Sequence, residues 1–255
     1  MAKTEQQTAL ATQEPAQVPA YLKTSEPKGV DELAQYRSTP RLKIIQAMTD
    51  DAIQTEFGLG SVVIMPDSVL LTRYSEPFMA VPVFFWPSWA TWRDLTDTSG
   101  PMIVEESLDP ESTVAMAAKN SKKRVEPYSD DPSMNWHHVE SLNFALEIQD
   151  GQSAGAVVVA SFCKGGHSEG RRLCGYLARK SAEKNVDLFA NRVQFVSGKV
   201  TNRQNQTWYQ LGFGAPEDGS PLFIDEETHA RLLPLHGELK KLHSAGLLAA
   251  VAVEQ

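Results

Sequence analysis

Cysteine is nearly absent: Cys163 and Cys174 are the only two in 255 residues. With ten residues between them around a glycine-rich, basic stretch, they suit neither a secreted disulfide scaffold nor a metal knuckle. A reducing cytoplasm is the expected compartment. Long apolar runs are missing too. The opening residues, MAKTEQQTALATQEPAQ, contain no apolar h-region, and nowhere do about 18 apolar residues follow one another, so neither secretion nor a membrane partner is expected. Basic residues are in the minority, 24 against 32 acidic, for a formal charge of −8, which at first sight argues against a polyanionic partner.

What is present alters that picture. An apolar content of 42% is enough for a full core at this length. The charge is unevenly spread. Residues 151–214 hold nine basic residues (Lys164, Arg171, Arg172, Arg179, Lys180, Lys184, Arg192, Lys199, Arg203) against three acidic ones (Glu169, Glu183, Asp187). That segment is +6 within a chain of −8, leaving −14 on the rest. A cationic module in an acidic protein focuses a polyanion onto one surface, although the same residues also suit a solvated helix face.

Residues 1–38 are rich in Gln, Thr, Ala, Glu and Pro without spaced apolar positions, and are expected to form a flexible tail. A single β-rich domain is expected over 39–255. Its first buried segment is 41–48 (RLKIIQAM), a strand or one amphipathic turn; 61–65 (SVVIM) and 68–73 (SVLLTR) read as two strands joined at Pro66-Asp67. The next run, 79–86 (MAVPVFFW), is a strand in which Pro82 implies an edge or a bulge. Turn residues throughout 96–132 suggest a long loop excursion with one strand at 102–105. The pattern then predicts a hairpin from 142–148 and 154–163 and a helix from an N-cap at Ser168 to about Asn185. In that helix Leu173, Leu177 and Ser181 form the buried stripe. Strands at 192–201 and 207–213 follow, and a C-terminal helix over 226–248 is expected to be interrupted near Pro234.

Strand, strand, helix, strand, strand is the order of a small OB-fold barrel, which binds single strands by stacking bases on aromatic rings beside a basic groove. The expected architecture is therefore mainly β (α+β): an OB-like barrel with an inter-strand helix, extra N-terminal strands and a C-terminal helix. Phe195, Trp208, Tyr209 and Phe213 are candidate stacking rings beside Lys164, Arg171, Arg172, Arg179, Lys180, Arg192, Lys199 and Arg203. Trp208 and Tyr209 are neighbours in a strand and must face opposite sides, so at most one of them is expected to serve the ligand and the other the core, and for any one ring the core is the commoner fate. The tail, then 40–46 (PRLKIIQ), then the basic helix and 199–211 (KVTNRQNQTWYQL), resemble replication-associated proteins of tailed bacteriophages. The resemblance implies an OB-fold single-stranded DNA-binding protein in the host cytoplasm, supporting replication or recombination. It departs at the C-terminus, which is apolar where such proteins carry an acidic tail for recruiting replication partners.

Sharper readings fare less well. The run Lys164 to Arg172 (KGGHSEGRR) resembles a phosphate cradle at a helix start but is no P-loop, because its lysine precedes the glycines. His229, His236 and His243 repeat every seven residues, about 10 Å apart along a helix, too far to share a metal. Neither cysteine has an activating signature and no acid and base pair stands out, so no catalytic residue, metal or cofactor is expected. Trp86, Trp89 and Trp92 read either as a hydrophobic anchor or as a stacking or self-association patch, the latter compatible with a homo-oligomer. The preferred ligand is single-stranded DNA, with RNA open. The competing expectation is a phage interaction or structural protein, a virion component or an inhibitor of a host enzyme, acting through its acidic surface.

Overall fold

A computed structural model describes residues 39–94, 97, 100–128, 134–217 and 221–248, so the expected N-terminal tail lies outside the described residues. Two long strands organise it: β4 (Pro77–Trp92) and β7 (Asn135–Ile148), antiparallel from Ala80↔Ile148 to Trp92↔His137. Their length lets each recruit two shorter strands along its outer edge. On β4, β9 (Val193–Thr201) covers the start and β5 (Ile103–Ser107) the end; on β7, β8 (Val157–Phe162) covers the end and β6 (Val125–Pro127) the start. Among the described residues the stretch of β4 between β9 and β5 has no second partner. Pro82 and Pro87, which cannot donate to a ladder, both fall there, with a bulge between Pro82 and Phe84. The bulge expected at Pro82 is present, within a strand at the centre of the sheet.

Beyond β8 the sheet continues through β1 (Arg41–Ile44), β2 (Val62–Met65) and β3 (Val69–Thr72); beyond β9 it ends at β10 (Thr207–Gly214). The order β10-β9-β4-β7-β8-β1-β2-β3 does not return on itself, so the sheet is open and the expected closed barrel is not formed. The strand and helix order from β7 to β10 is as expected, but β9 pairs with β4, and an arrangement that long-range cannot be read from chain order. The end strand β10 is instead tied to the segment after β1 by one side chain. The Gln46 carboxamide accepts from the Tyr209 N–H at 2.9 Å and donates to the Tyr209 carbonyl at 2.7 Å, two bonds of the kind a neighbouring strand would supply.

Among the described residues four helices complete the fold: α1 (Asp51–Phe57), α2 (Thr113–Lys119), α3 (His167–Lys184) and α4 (Glu226–Ser244). The segment 96–132 thus carries β5, α2 and β6, and α2 exists because Val114, Ala115 and Ala118 cover Trp89. Leu173 and Leu177 of α3 pack with Phe78, Phe144, Phe162 and Phe195. Fully burying each leucine contributes about 1.5–3 kcal/mol. On the other face of β4, Val81 and Val83 meet Leu232 of α4 and Phe84 and Trp86 meet Leu239, so α3 and α4 cover opposite faces. Helix α4 runs through Pro234 without the expected interruption: Pro234 lies on the exposed side while residues 229, 232, 236, 239 and 243 hold the opposite side to the sheet. The helix is pinned by Arg231, whose guanidinium donates to both oxygens of Glu147, a carboxylate 1% exposed on β7.

Candidate nucleic-acid interface

The site is built where β8 hands over to α3. After Phe162 the chain turns through a 3-10 segment, Lys164–Gly166, in which Lys164 takes a φ of +46°, and α3 then begins with Gly166 as its N-cap. Ser168, the expected cap, lies inside the helix, because the 3-10 turn brings the chain into helical geometry two residues earlier; no side chain caps the first amides. Gly170 sets how closely α3 lies on the sheet: a Cβ there would fall 2.5 Å from Cβ of Phe162. That leaves Arg171 and Arg172 exposed on the far side of the helix.

Aromatic rings flank this corner. The Lys164 ammonium lies 4.1 Å from the centroid of Trp92, and its pKa is lowered chiefly by burial, with Cys163 opposing. Desolvation likewise raises the Cys163 thiol, against the pull of Lys164 and a hydrogen bond with Ser141, so the thiol is protonated and poorly nucleophilic at neutral pH. Trp208 of β10 closes over Gly165, where a Cβ would come within 2.9 Å of its Nε1, and that N–H donates to Gln210 Oε1 at 3.3 Å. His167 donates from Nε2 to Glu140 at 2.9 Å, placing one carboxylate beside the cationic corner. Arg172 makes two 2.7 Å contacts with Glu169 and lies 5.6 Å from the Phe213 ring, which in turn meets Tyr176 at 5.6 Å.

The candidate residues therefore divide. Lys164, Arg171, Arg172, Trp208 and Phe213 gather around the first half of α3 and β10. Arg179, 4.0 Å from Glu183, and Lys180, 5.9 Å from Tyr176, continue the basic face along α3. Lys199 is exposed opposite Tyr209, and Arg203 is exposed in the turn, where the Asn202 side chain accepts from the Gln204 and Gln206 amides. Arg192 stands apart, half-buried and 3.9 Å from Asp225 at the start of α4. Phe195 leaves the set altogether. It is 0% exposed and stacked on Phe78 at 5.5 Å, because β9 alternates and its odd positions face the core.

The other clusters resolve as packing. Trp86, Trp89 and Trp92 are each 2–3% exposed and serve three different parts of the core. His229, His236 and His243 line one face of α4, as their spacing requires, against Phe84 and Phe189, and His236 donates from Nδ1 to the Val83 carbonyl. Among the described residues no group of three or more His, Cys, Asp or Glu could hold a metal, and no helix is long and apolar enough to cross a membrane.

One family model matches this chain, that of the Pam3 phage gp34-like protein, over residues 10–221. The chain belongs to that family. The span matched by the phage gp34-like family takes in the ten described strands and α3, and α4 lies beyond the match. No curated protein and no solved structure matches.

Two elements of the site escaped the reading of the sequence. Trp92 as the platform for Lys164 joins residues far apart in the chain, with no local signal. Tyr74, which packs edge-to-face on Tyr209 at 5.4 Å, stands alone between turn residues, and only the meeting of the sheet ends gives it a partner.

Proposed function

We propose that this protein of the phage gp34-like family binds single-stranded DNA without catalysis and without strong base preference, in support of phage replication or recombination. The observation that carries the reading is the juxtaposition of an exposed arginine row on α3 with the partly exposed Trp208 at the Lys164–Gly166 turn. A single strand needs those two things: cations for phosphates and rings for bases. Arg172 and Arg179 are ion-paired with Glu169 and Glu183 on their own helix. Such exposed pairs contribute about 0.2–1 kcal/mol, so a phosphate exchanges for the carboxylate at small cost.

The test is a titration with oligo(dT) at several salt concentrations, read through tryptophan emission. Trp86, Trp89 and Trp92 are buried, so quenching reports on the partly exposed Trp208 and Trp136. The expected result is quenching whose midpoint moves with salt. No quenching and no retention on single-stranded DNA at low salt overturns the reading in favour of a protein partner for the acidic surface.

A further inference from the structure

We infer that Tyr74 and Tyr209 form a second base-stacking step, at the seam where the two ends of the open sheet meet, and that it takes an unpaired nucleobase. The inference rests on the single-strand reading and adds a subsite to it. Strand β10 ends one side of the sheet and β3 the other, and Tyr74 lies two residues past the end of β3. The Gln46 clasp on the Tyr209 main chain fixes β10 at this point, so the ring of Tyr209 is held by its own backbone. Tyr74 meets it at an interplanar angle of 81°, and an edge-to-face contact leaves at least one face of each ring free of the other.

The backbone beneath the pair is shaped to receive the two rings. Gly60 lies under both, with φ +80°, and a Cβ there would come within 2.6 Å of Tyr74 and 2.7 Å of Tyr209. Only glycine satisfies that conformation and that clearance together. Yet Tyr74 remains 43% exposed, far more than any ring of the core. Among the described residues neither phenol hydroxyl is held by a hydrogen bond, so both are open to a sugar or phosphate. The local charge is favourable: Lys199 lies opposite Tyr209 on β9 and Arg73 precedes Tyr74, both exposed, against one carboxylate, Glu76, which accepts from the Arg73 amide. Trp208 and Tyr209 project to opposite sides of the edge strand β10, so a single strand crossing that edge meets a ring on each side.

The experiment uses the full chain and fluorescein-labelled oligo(dT), with anisotropy as the readout, for the wild type and for Tyr74→Ala, Tyr74→Leu and Tyr74→Phe. Tyr74→Ala is expected to weaken binding roughly 5- to 100-fold, the span of one base stack, with the salt slope unchanged because no phosphate contact is lost. Tyr74→Phe is expected to stay within about threefold of wild type, since it keeps the π-face. Tyr74→Leu keeps an apolar cover over Gly60 without a ring, and is expected to lose affinity as the alanine variant does even if Tyr74→Ala fails to fold. If the wild type binds and Tyr74→Leu binds equally well, the subsite is overturned and the single-strand reading stands. If the wild type does not bind, both fall.

Discussion

The β4–β7 ribbon and the α3–β10 corner contain the same kinds of residue, tryptophan beside lysine or arginine, and put them to opposite uses. In the ribbon, Trp89 lies under α2 with Lys119 at 5.1 Å, yet the ring is 3% exposed and the lysine donates to the Pro110 carbonyl. At the corner, Trp208 sits on an end strand and is partly exposed, beside the exposed arginines of α3. The difference is position in the sheet: β4 is flanked by strands and covered on both faces, whereas β10 has one ladder partner. Aromatic and basic composition marks a binding surface only where the fold leaves a ring uncovered.

The sharpest way to break the comparison is to truncate a ring in each region. Trp86→Ala should lower stability by about 3–5 kcal/mol, seen in urea unfolding, while the remaining folded protein binds oligo(dT) normally. A weaker blow to the same region is Arg231→Ala, which strands Glu147 buried and uncompensated; roughly 3 kcal/mol should be lost in thermal or chemical unfolding. At the corner the effect should move from stability to affinity. Trp208→Ala should weaken oligo(dT) binding by about 1–3 kcal/mol and remove much of the quenching, with the melting temperature little changed. If stability falls instead, Trp208 is a core residue like Trp86. Changing Arg171 and Arg172 together to Ala should lower the log-log salt slope by about one unit per lost phosphate contact. The smallest expected effect lies outside both regions. Asp225 caps α4 by accepting from the Thr228 amide, which is the main cause holding its carboxyl below the usual range. A depressed folded pKa gives stability that is present above the ordinary aspartate value and is lost as pH falls through the folded one. Asp225→Asn should therefore flatten that acid limb of the stability profile, measured by melting between pH 5 and pH 2.

Much of the second half of the chain was legible because its signals are local. The alternation around 142–148, the apolar run of β8, the Leu173 and Leu177 stripe and the turn at Asn202 each specify an element within a few residues, and the elements appear at those positions. Helix α1 also has a local signature, an Asp50 cap and Gly58 at the end, that went unread because the segment is short. Helix α2 has local signals too, a Ser112 cap and three alanines, and is seated by the tryptophan it covers.

Of the site, the sequence by itself determined the inventory: the +6 segment, the basic outer face of α3, and the rule that Trp208 and Tyr209 point to opposite sides. These follow from the periods of helix and strand, which depend on no distant partner. Tertiary structure decided the rest. It sent Phe195 into the core, set Lys164 on Trp92, left the sheet open and brought Tyr74 to Tyr209 across the clasp of Gln46. Each of these depends on which strand lies beside which, and strand neighbours are chosen by burial summed over the whole sheet, a quantity that no local stretch of sequence contains.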